Sequence, residues 1–198
     1  KMIGASSKNT AYNFANKYIV SISGRSDAST RFGLNNRSGF FPSASVAWRL
    51  SEEDFIKNIP TISQLKIRSS YGLTGNNDIS PFLYAPLYGV GDSYGGQPGI
   101  SPQSIPNPDL KWESTVQYNG GIDMGLFNDR IVLTADFYQK TTKDLLLSRP
   151  LPTSSGFSTI TQNVGEVENK GIELTLQTQN VTRQNFSWTS QLNLSANR

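Results

Sequence analysis

The chain has 198 residues, with 18 Lys and Arg against 15 Asp and Glu for a net charge of +3, and it contains neither Cys nor His. The absence of Cys and His excludes disulfide bonds, thiolate nucleophiles, Ser-His-Asp triads and ordinary zinc or haem sites. We therefore expect no cofactor. Three excess positive charges spread along the chain do not make the basic surface that nucleic acid requires, so we expect no nucleic-acid partner.

Alternation of apolar and polar side chains with period two predicts about eight strands and therefore an all-β, antiparallel fold. The strands are expected near residues 8–14, 17–26, 41–50, 64–74, 111–124, 131–142, 166–178 and 186–196. Between the third and the fourth, Ser51 at an N-cap position with acidic residues behind it predicts a helix of one or two turns that ends before Pro60.

The predicted strands separate apolar side chains from charged ones, because successive side chains of a strand point to opposite faces. The apolar face includes Val46, Trp48, Ile67, Tyr71, Trp112, Ile122, Leu133, Leu174 and Leu192. The charged residues of the polar face are Arg25, Arg49, Lys66, Arg68, Glu113, Asp123, Asp136 and Glu173. A soluble sandwich would bury the apolar face in its core, whereas a membrane barrel would turn that face toward lipid.

Three features favour the membrane barrel. Several predicted strands reach 10–14 residues, close to the roughly 9–11 that cross a bilayer, whereas soluble strands average about 5–6. Aromatic residues gather near strand ends, as interfacial girdles require. They are Tyr18, Trp48, Phe127, Phe186 and Trp188 at one rim and Phe41, Tyr71, Trp112 and Phe137 at the other. Long links at 27–40, 75–110 and 143–165 alternate with shorter ones, as in outer-membrane barrels.

The motifs that could carry catalysis lack their context, so we expect that the chain is not an enzyme. Residues 91–95 fit the G-x-S-x-G pattern of a nucleophile elbow, but they lie in a Gly-rich loop and no His exists to activate Ser93. The same loop carries Tyr84, Tyr88 and Tyr94, which are candidates for stacking on sugar rings or gripping peptides and equally for simple packing of the loop.

Several longer sequence motifs resemble those of the SusC/RagA family of TonB-linked outer-membrane transporters. They include Asp27-Ala-Ser-Thr-Arg-Phe-Gly33, Phe41-Pro-Ser-Ala-Ser-Val-Ala-Trp-Arg49, Leu65-Lys-Ile-Arg-Ser-Ser-Tyr-Gly-Leu-Thr-Gly-Asn76, Asn107-Pro-Asp-Leu-Lys-Trp-Glu113 and Asn163-Val-Gly-Glu-Val-Glu-Asn-Lys-Gly-Ile-Glu173. The resemblance extends from about Tyr18 to the C-terminus, and the motifs occur in the same order as in the family. Ala28 departs from it, because the family usually has Gly at that position.

The resemblance implies that residues 1–198 form part of a plugged outer-membrane barrel of about 22 strands. We expect the plug domain and the segment that contacts TonB to lie outside this chain. The implied function is import of oligosaccharides or peptides, with a SusD-like surface lipoprotein as the partner and outer-membrane lipid around the barrel. Tyr84, Tyr88 and Tyr94 are then candidates for contacts with ligand or partner, and Lys66, Arg68, Asp123 and Asp136 for lining the lumen.

Two alternatives remain at this stage. A complete barrel of eight strands could serve as an adhesin or a structural protein of the outer membrane, but the polar face, rich in Ser and Thr, shows no obvious interlocking charge network to fill its interior. A soluble, carbohydrate-binding β-sandwich would instead pair two apolar faces across a core.

Overall fold

The computed structural model describes residues 2–198, apart from the side chains of Met2, Ile3 and Tyr94. In that part of the chain twelve strands are joined by turns and loops, and one of the connections contains an α-helical turn. They are β1 Met2–Phe14, β2 Tyr18–Ser29, β3 Ser38–Arg49, α1 Asp54–Lys57, β4 Ile62–Asn76, β5 Tyr88–Tyr94, β6 Gln97–Pro102, β7 Glu113–Leu126, β8 Ile131–Lys143, β9 Leu146–Pro150, β10 Thr159–Asn163, β11 Glu166–Arg183 and β12 Phe186–Asn197.

Eight long strands form one antiparallel sheet in the order β1-β2-β3-β4-β7-β8-β11-β12, which we call the wall. The eight predicted strands are confirmed, and the structure lengthens most of them by a few residues. Within the described residues the sheet is open, because β1 and β12 are its two edges and do not pair with each other. Both alternatives are therefore wrong for this part of the chain: the sheet neither closes with eight strands nor packs its apolar face against a second sheet.

The register of the wall keeps apolar side chains on one face. Ile67 pairs with Ile122, Ile122 pairs with Ala135, and Ala135 pairs in turn with Leu174. Along β11 a bulge between Gln179 and Val181 shifts the register by one residue, so that Val181 pairs with Trp188. This apolar face is exposed in the isolated chain over most of its area.

The apolar face ends on charged residues at one end of the wall. Because residues two apart share a face, the strand positions that follow Phe137 and Ile172 toward this end carry Lys143, Glu166, Glu168 and Lys170. Lys143 lies 3.6 Å from Glu166, and Lys170 lies 3.3 Å from Glu168. The expectation that the predicted strands keep charges off the apolar face is therefore wrong at this end, because Glu166, Glu168 and Lys170 lie within the predicted strand 166–178 and share the face of Ile172.

The two longest connections lie at the same end of the wall, as predicted, but the link 30–37 at that end is shorter than the link 50–61 at the other. The turn end has the links 15–17, 50–61, 127–130 and 184–185, and the loop end has the links 30–37, 77–112 and 144–165, which together we call the cap. Two hairpins of the cap, β5–β6 and β9–β10, were not predicted. Their Gly and Pro residues mask the period-two signal on which strand prediction depends.

A small, mostly aromatic core, which the sequence did not predict, lies where the cap meets β3. Phe32 and Leu110 are completely buried, and Phe41 and Trp112 are almost so. The Trp112 ring lies 5.4 Å from the rings of both Phe32 and Phe41, and its indole N–H donates to the Arg37 carbonyl at 3.1 Å. The prediction of Phe41 and Trp112 as rim aromatics is thus wrong, because the folded loops cover both side chains.

At the turn end the predicted aromatic rim is present. Tyr18, Trp48, Phe127, Phe186 and Trp188 are all exposed there. The predicted helix at 51–58 is reduced to a 3₁₀ turn over Leu50–Glu52 followed by α1. Across residues 2–198, no helix is both long enough and apolar enough to cross a membrane.

Candidate functional site: the polar face and the cap

The four charged residues singled out on the polar face form one network of ion pairs. Lys66 and Arg68 on β4 face Asp123 on β7, at 2.7 Å and 3.2 Å respectively. The Arg68 guanidinium also reaches Asp136 on β8, at 2.7 Å from Nη1 and 2.9 Å from Nη2. Arg68 therefore joins three strands of the wall, because it crosses β7 to bind a carboxylate on the far side.

A glycine makes this crossing possible. Gly121 pairs with Arg68 on one side and with Asp136 on the other, so it lies directly beneath the guanidinium. A Cβ at this position would lie 2.6 Å from Asp136 Oδ1 and 2.7 Å from Arg68 Cζ, far inside van der Waals contact. Gly121 thus provides the space that the bidentate Arg–carboxylate pair requires.

The network contradicts the expectation that the polar face lacks interlocking charges. Its two cations and two carboxylates balance, and all four side chains are partly shielded from solvent. Glu173 lies opposite Asp136 in the register of β8 and β11 and adds a further carboxylate beside the network. Sequence reasoning placed the four residues on one face correctly but missed their contact, which depends on the strand register and on Gly121.

A neutral surface lies next to the charged network, toward the loop end. It consists of hydroxyl and amide side chains: Ser23 and Ser43 share a hydrogen bond of 2.7 Å, and Asn119 donates to Ser70 at 3.1 Å. A shallow cleft of about 350 Å³ is lined by these residues and by neighbours that carry no charge. Such groups can hydrogen-bond to a neutral polar ligand without requiring a counter-charge.

The cap is held over the loop end by hydrogen bonds between loops that are distant in sequence. The Asn163 side chain accepts from the Lys111 backbone N–H at 2.9 Å and donates to the Lys111 carbonyl at 2.8 Å. Asn107 donates to the Thr161 carbonyl at 2.9 Å, and Arg31 donates to the Asn77 carbonyl at 2.8 Å. These bonds make the cap an ordered surface rather than three independent loops.

The three tyrosines predicted as loop contacts do not form one cluster among the described side chains. Tyr84 is half-buried, and its ring lies 6.5 Å from that of Phe82. Tyr88 is exposed at the start of β5. The side chain of Tyr94, at the end of β5, lies outside the described residues. Of the two tyrosines whose side chains are described, Tyr84 therefore contributes to packing of the cap, whereas Tyr88 is exposed and can meet another molecule.

Residues 91–95 do not have the local structure that their sequence pattern would need for catalysis. Residues 91–95 lie in the β5–β6 hairpin, where the Asp92 carboxylate accepts a hydrogen bond from the Ser101 hydroxyl, and they do not form the strand-to-helix turn of a nucleophile elbow. Within residues 2–198, no three carboxylates gather into a group that could hold a metal ion.

One carboxylate organises the turn end. Glu53 accepts hydrogen bonds from Lys17 Nζ at 2.9 Å, from the Tyr18 hydroxyl at 2.8 Å and from Trp48 Nε1 at 3.0 Å. The Lys17 ammonium, followed by the Trp48 and Tyr18 donors, lowers the pKa of Glu53 to about 2. Sequence reasoning treated Glu53 only as a helix-start residue and missed this role.

The chain is similar in sequence to known proteins over nearly its whole length. A family model described as "TonB dependent receptor-like, beta-barrel" matches residues 9–198. TonB-dependent receptor P3 of Formosa agariphila is 42% identical over 192 residues, which cover 94% of this chain and 19% of that relative. TonB-dependent receptor SusC of Bacteroides thetaiotaomicron is 36% identical over 194 residues, with 94% and 19% coverage.

A solved structure agrees with these relatives. The RagAB peptide importer in its closed-closed state superposes with a TM-score of 0.90 at 34% identity, over 98% of this chain and 21% of that chain. The chain thus spans about a fifth of the length of the curated relatives it matches.

Proposed function

Because the chain belongs to the TonB-dependent receptor-like β-barrel family, we propose that it forms an arc of the wall of a plugged barrel in the bacterial outer membrane. The barrel imports an oligosaccharide or peptide nutrient, and TonB drives the import through a segment outside this chain. A SusD-like lipoprotein covers the barrel from the cell surface. Residues 1–198 are then one part of a larger barrel domain.

The observation that carries this proposal is the family match over residues 9–198 on a wall whose apolar face is exposed. From Ile172 to Val181 the apolar stretch of β11 is about 30 Å long at about 3.3 Å per residue. A strand tilt of about 35–45° reduces this to about 23 Å, close to the apolar band of outer-membrane barrels, about 25 Å tall. The aromatic rim at the turn end would lie at one membrane interface.

The opposite face supports the transport role. We propose that Lys66, Arg68, Asp123 and Asp136 line the lumen, where their charge-balanced network stiffens the wall. The neutral hydroxyl and amide surface above them offers hydrogen bonds to a passing ligand. Exposed Tyr88 and the rest of the cap, including Tyr84 and Tyr94, face the side from which ligand and lipoprotein arrive. The names of two relatives, TonB-dependent receptor SusC and the RagAB peptide importer, support a TonB-driven importer of nutrients.

The proposal is tested by deleting the gene in the source bacterium and measuring growth on a peptide mixture and on oligosaccharides as separate nutrient sources. We expect growth on one of the two to fall, to be restored by the intact gene, and to fall equally when TonB is removed. Unchanged growth on both nutrients, or recovery of the intact protein in the soluble fraction, would contradict the proposal.

A further inference from the structure

A groove in the cap lies between two segments that are far apart in sequence. Residues 102–105, at the end of β6 and just after it, form one side, and residues 156–161, which lead into β10 and run along it, form the other. The groove has a volume of about 250 Å³, and none of its lining residues is charged. A ligand that fits here is therefore neutral where it makes contact.

The strand β10 presents a free edge to this groove. It pairs only with β9, in a two-stranded sheet. Leu151 donates to the Ser158 carbonyl and Val164 donates to the Leu145 carbonyl, so even-numbered residues of this segment direct their backbone groups toward β9. In an antiparallel pair the residues between them direct theirs away. The N–H and C=O groups of Thr159 and the N–H of Thr161 therefore point to the open edge.

The other side of the groove holds a buried polar atom without a partner. Ser104 Oγ is shielded from solvent, and within the described part of the chain it makes no hydrogen bond. Burial of an unpaired hydroxyl costs free energy unless a ligand or water completes its bonding. The Thr161 carbonyl already accepts a hydrogen bond from the Asn107 side chain, so it is not available to a ligand.

From these observations we infer that the groove binds a short, extended stretch of peptide main chain. The peptide adds to the free edge of β10, where its backbone bonds to the N–H and C=O groups of Thr159 and to the N–H of Thr161. Rotation of the Ser104 side chain into the groove lets its unpaired Oγ bond to the other side of the peptide. This is strand addition to an exposed sheet edge. From Ser158 to Thr161 the edge is about 10 Å long, which suits about three residues. The inference rests on the proposed function and specifies a peptide-binding site in it.

The test uses the full-length receptor in detergent and a fluorescent, neutral pentapeptide of Ala, Ser and Gly with blocked termini. Thr159→Pro removes the outward N–H, and proline is tolerated at the first residue of an edge strand. Thr159→Val keeps that N–H and removes only the hydroxyl. We expect Thr159→Pro to weaken peptide binding at least fivefold, Ser104→Ala to weaken it about threefold, and Thr159→Val to stay within twofold of wild type.

Hydrogen exchange provides the second measurement. The pentapeptide should slow amide exchange at residues 159 and 161, and a neutral oligosaccharide of six glucose units should leave those amides unchanged. Equal affinity of the proline and valine variants would overturn the inference, as would protection by the oligosaccharide alone. If growth still depends on the receptor and on TonB while these variants behave as wild type, the transport function stands and only the groove is wrongly assigned.

Discussion

The wall and the cap are both held in place by long-range contacts, yet they obtain their order in different ways. The wall is built from similar strands. The side chains of each strand alternate between two faces, and backbone pairing with the neighbouring strands fixes its position in the sheet. The cap has almost no repeat, and it depends on the four-residue core of Phe32, Phe41, Leu110 and Trp112 and on side-chain hydrogen bonds between loops. A substitution in the cap should therefore act locally, whereas one on the wall should act on insertion of the whole sheet.

The largest effect is expected from loss of the cap core. Phe32→Ala removes a completely buried ring that contacts Trp112, and such truncations cost about 3–5 kcal/mol. We expect residues 77–112 to become sensitive to protease in the folded receptor while the wall keeps its resistance to denaturation by detergent. Leu34→Ala, at a position that is 80% exposed two residues away, is the matched control and should change neither. Equal sensitivity of both variants would show that the core does not hold the cap.

The second largest effect is expected when an arginine is placed on the apolar face of the wall instead of the polar face. Leu174 lies in the middle of the apolar face, between Ala135 and Leu194, and Thr175 lies on the polar face. Leu174→Arg should cost about 2–4 kcal/mol on insertion into lipid, and Thr175→Arg should be tolerated. Refolding into lipid vesicles, followed by the mobility shift between folded and unfolded barrel on a gel, measures both. Equal defects would contradict the assignment of the faces.

A smaller effect is expected where the wall carries its charged network. Gly121→Ala places a methyl group against the ends of the Arg68 and Asp136 side chains, which must shift and weaken their ion pair, and should cost up to about 1 kcal/mol. Gly120→Ala is the control, because a Cβ there meets nothing within 4 Å and surface changes of this kind stay within about 0.5 kcal/mol. The two variants are compared by urea unfolding in lipid, and a cost for Gly120→Ala as large as that of Gly121→Ala would refute the role of Gly121.

The smallest effect concerns the turn end and its pH dependence. Lys17, Trp48 and Tyr18 hold the pKa of Glu53 at about 2, against 4.5 for an unperturbed glutamate. A lowered carboxyl pKa means that the contribution of Glu53 is complete above pH 4.5, declines as the pH falls and is lost below about pH 2. Wild type should therefore lose stability relative to Glu53→Gln over this window. Parallel pH curves for the two proteins would contradict the contacts of Glu53.

The same contrast explains what the sequence could predict. Strand positions, the two faces and the placement of the two longest links at one end follow from a period-two pattern that each strand carries in its own residues. Burial of Trp112 could not be predicted, since its position in the alternation resembles that of Ile122 and only the folded loops cover it. Lys66, Arg68, Asp123 and Asp136 were found because they share a face, whereas their contacts depend on register. No local sequence pattern identifies Ser104 or Thr159 as residues of a groove.

The open edges of the wall have a practical consequence for handling the polypeptide. Within residues 2–198, β1 and β12 each present a long row of backbone groups without a neighbouring strand, and every residue of β12 is exposed. Unprotected edges are templates for pairing between molecules. When residues 1–198 are produced by themselves, we therefore expect edge-to-edge polymers with the 4.7–4.8 Å spacing of cross-β fibrils. A short capping strand designed against β12 should suppress this polymerisation and keep the fragment dispersed in detergent.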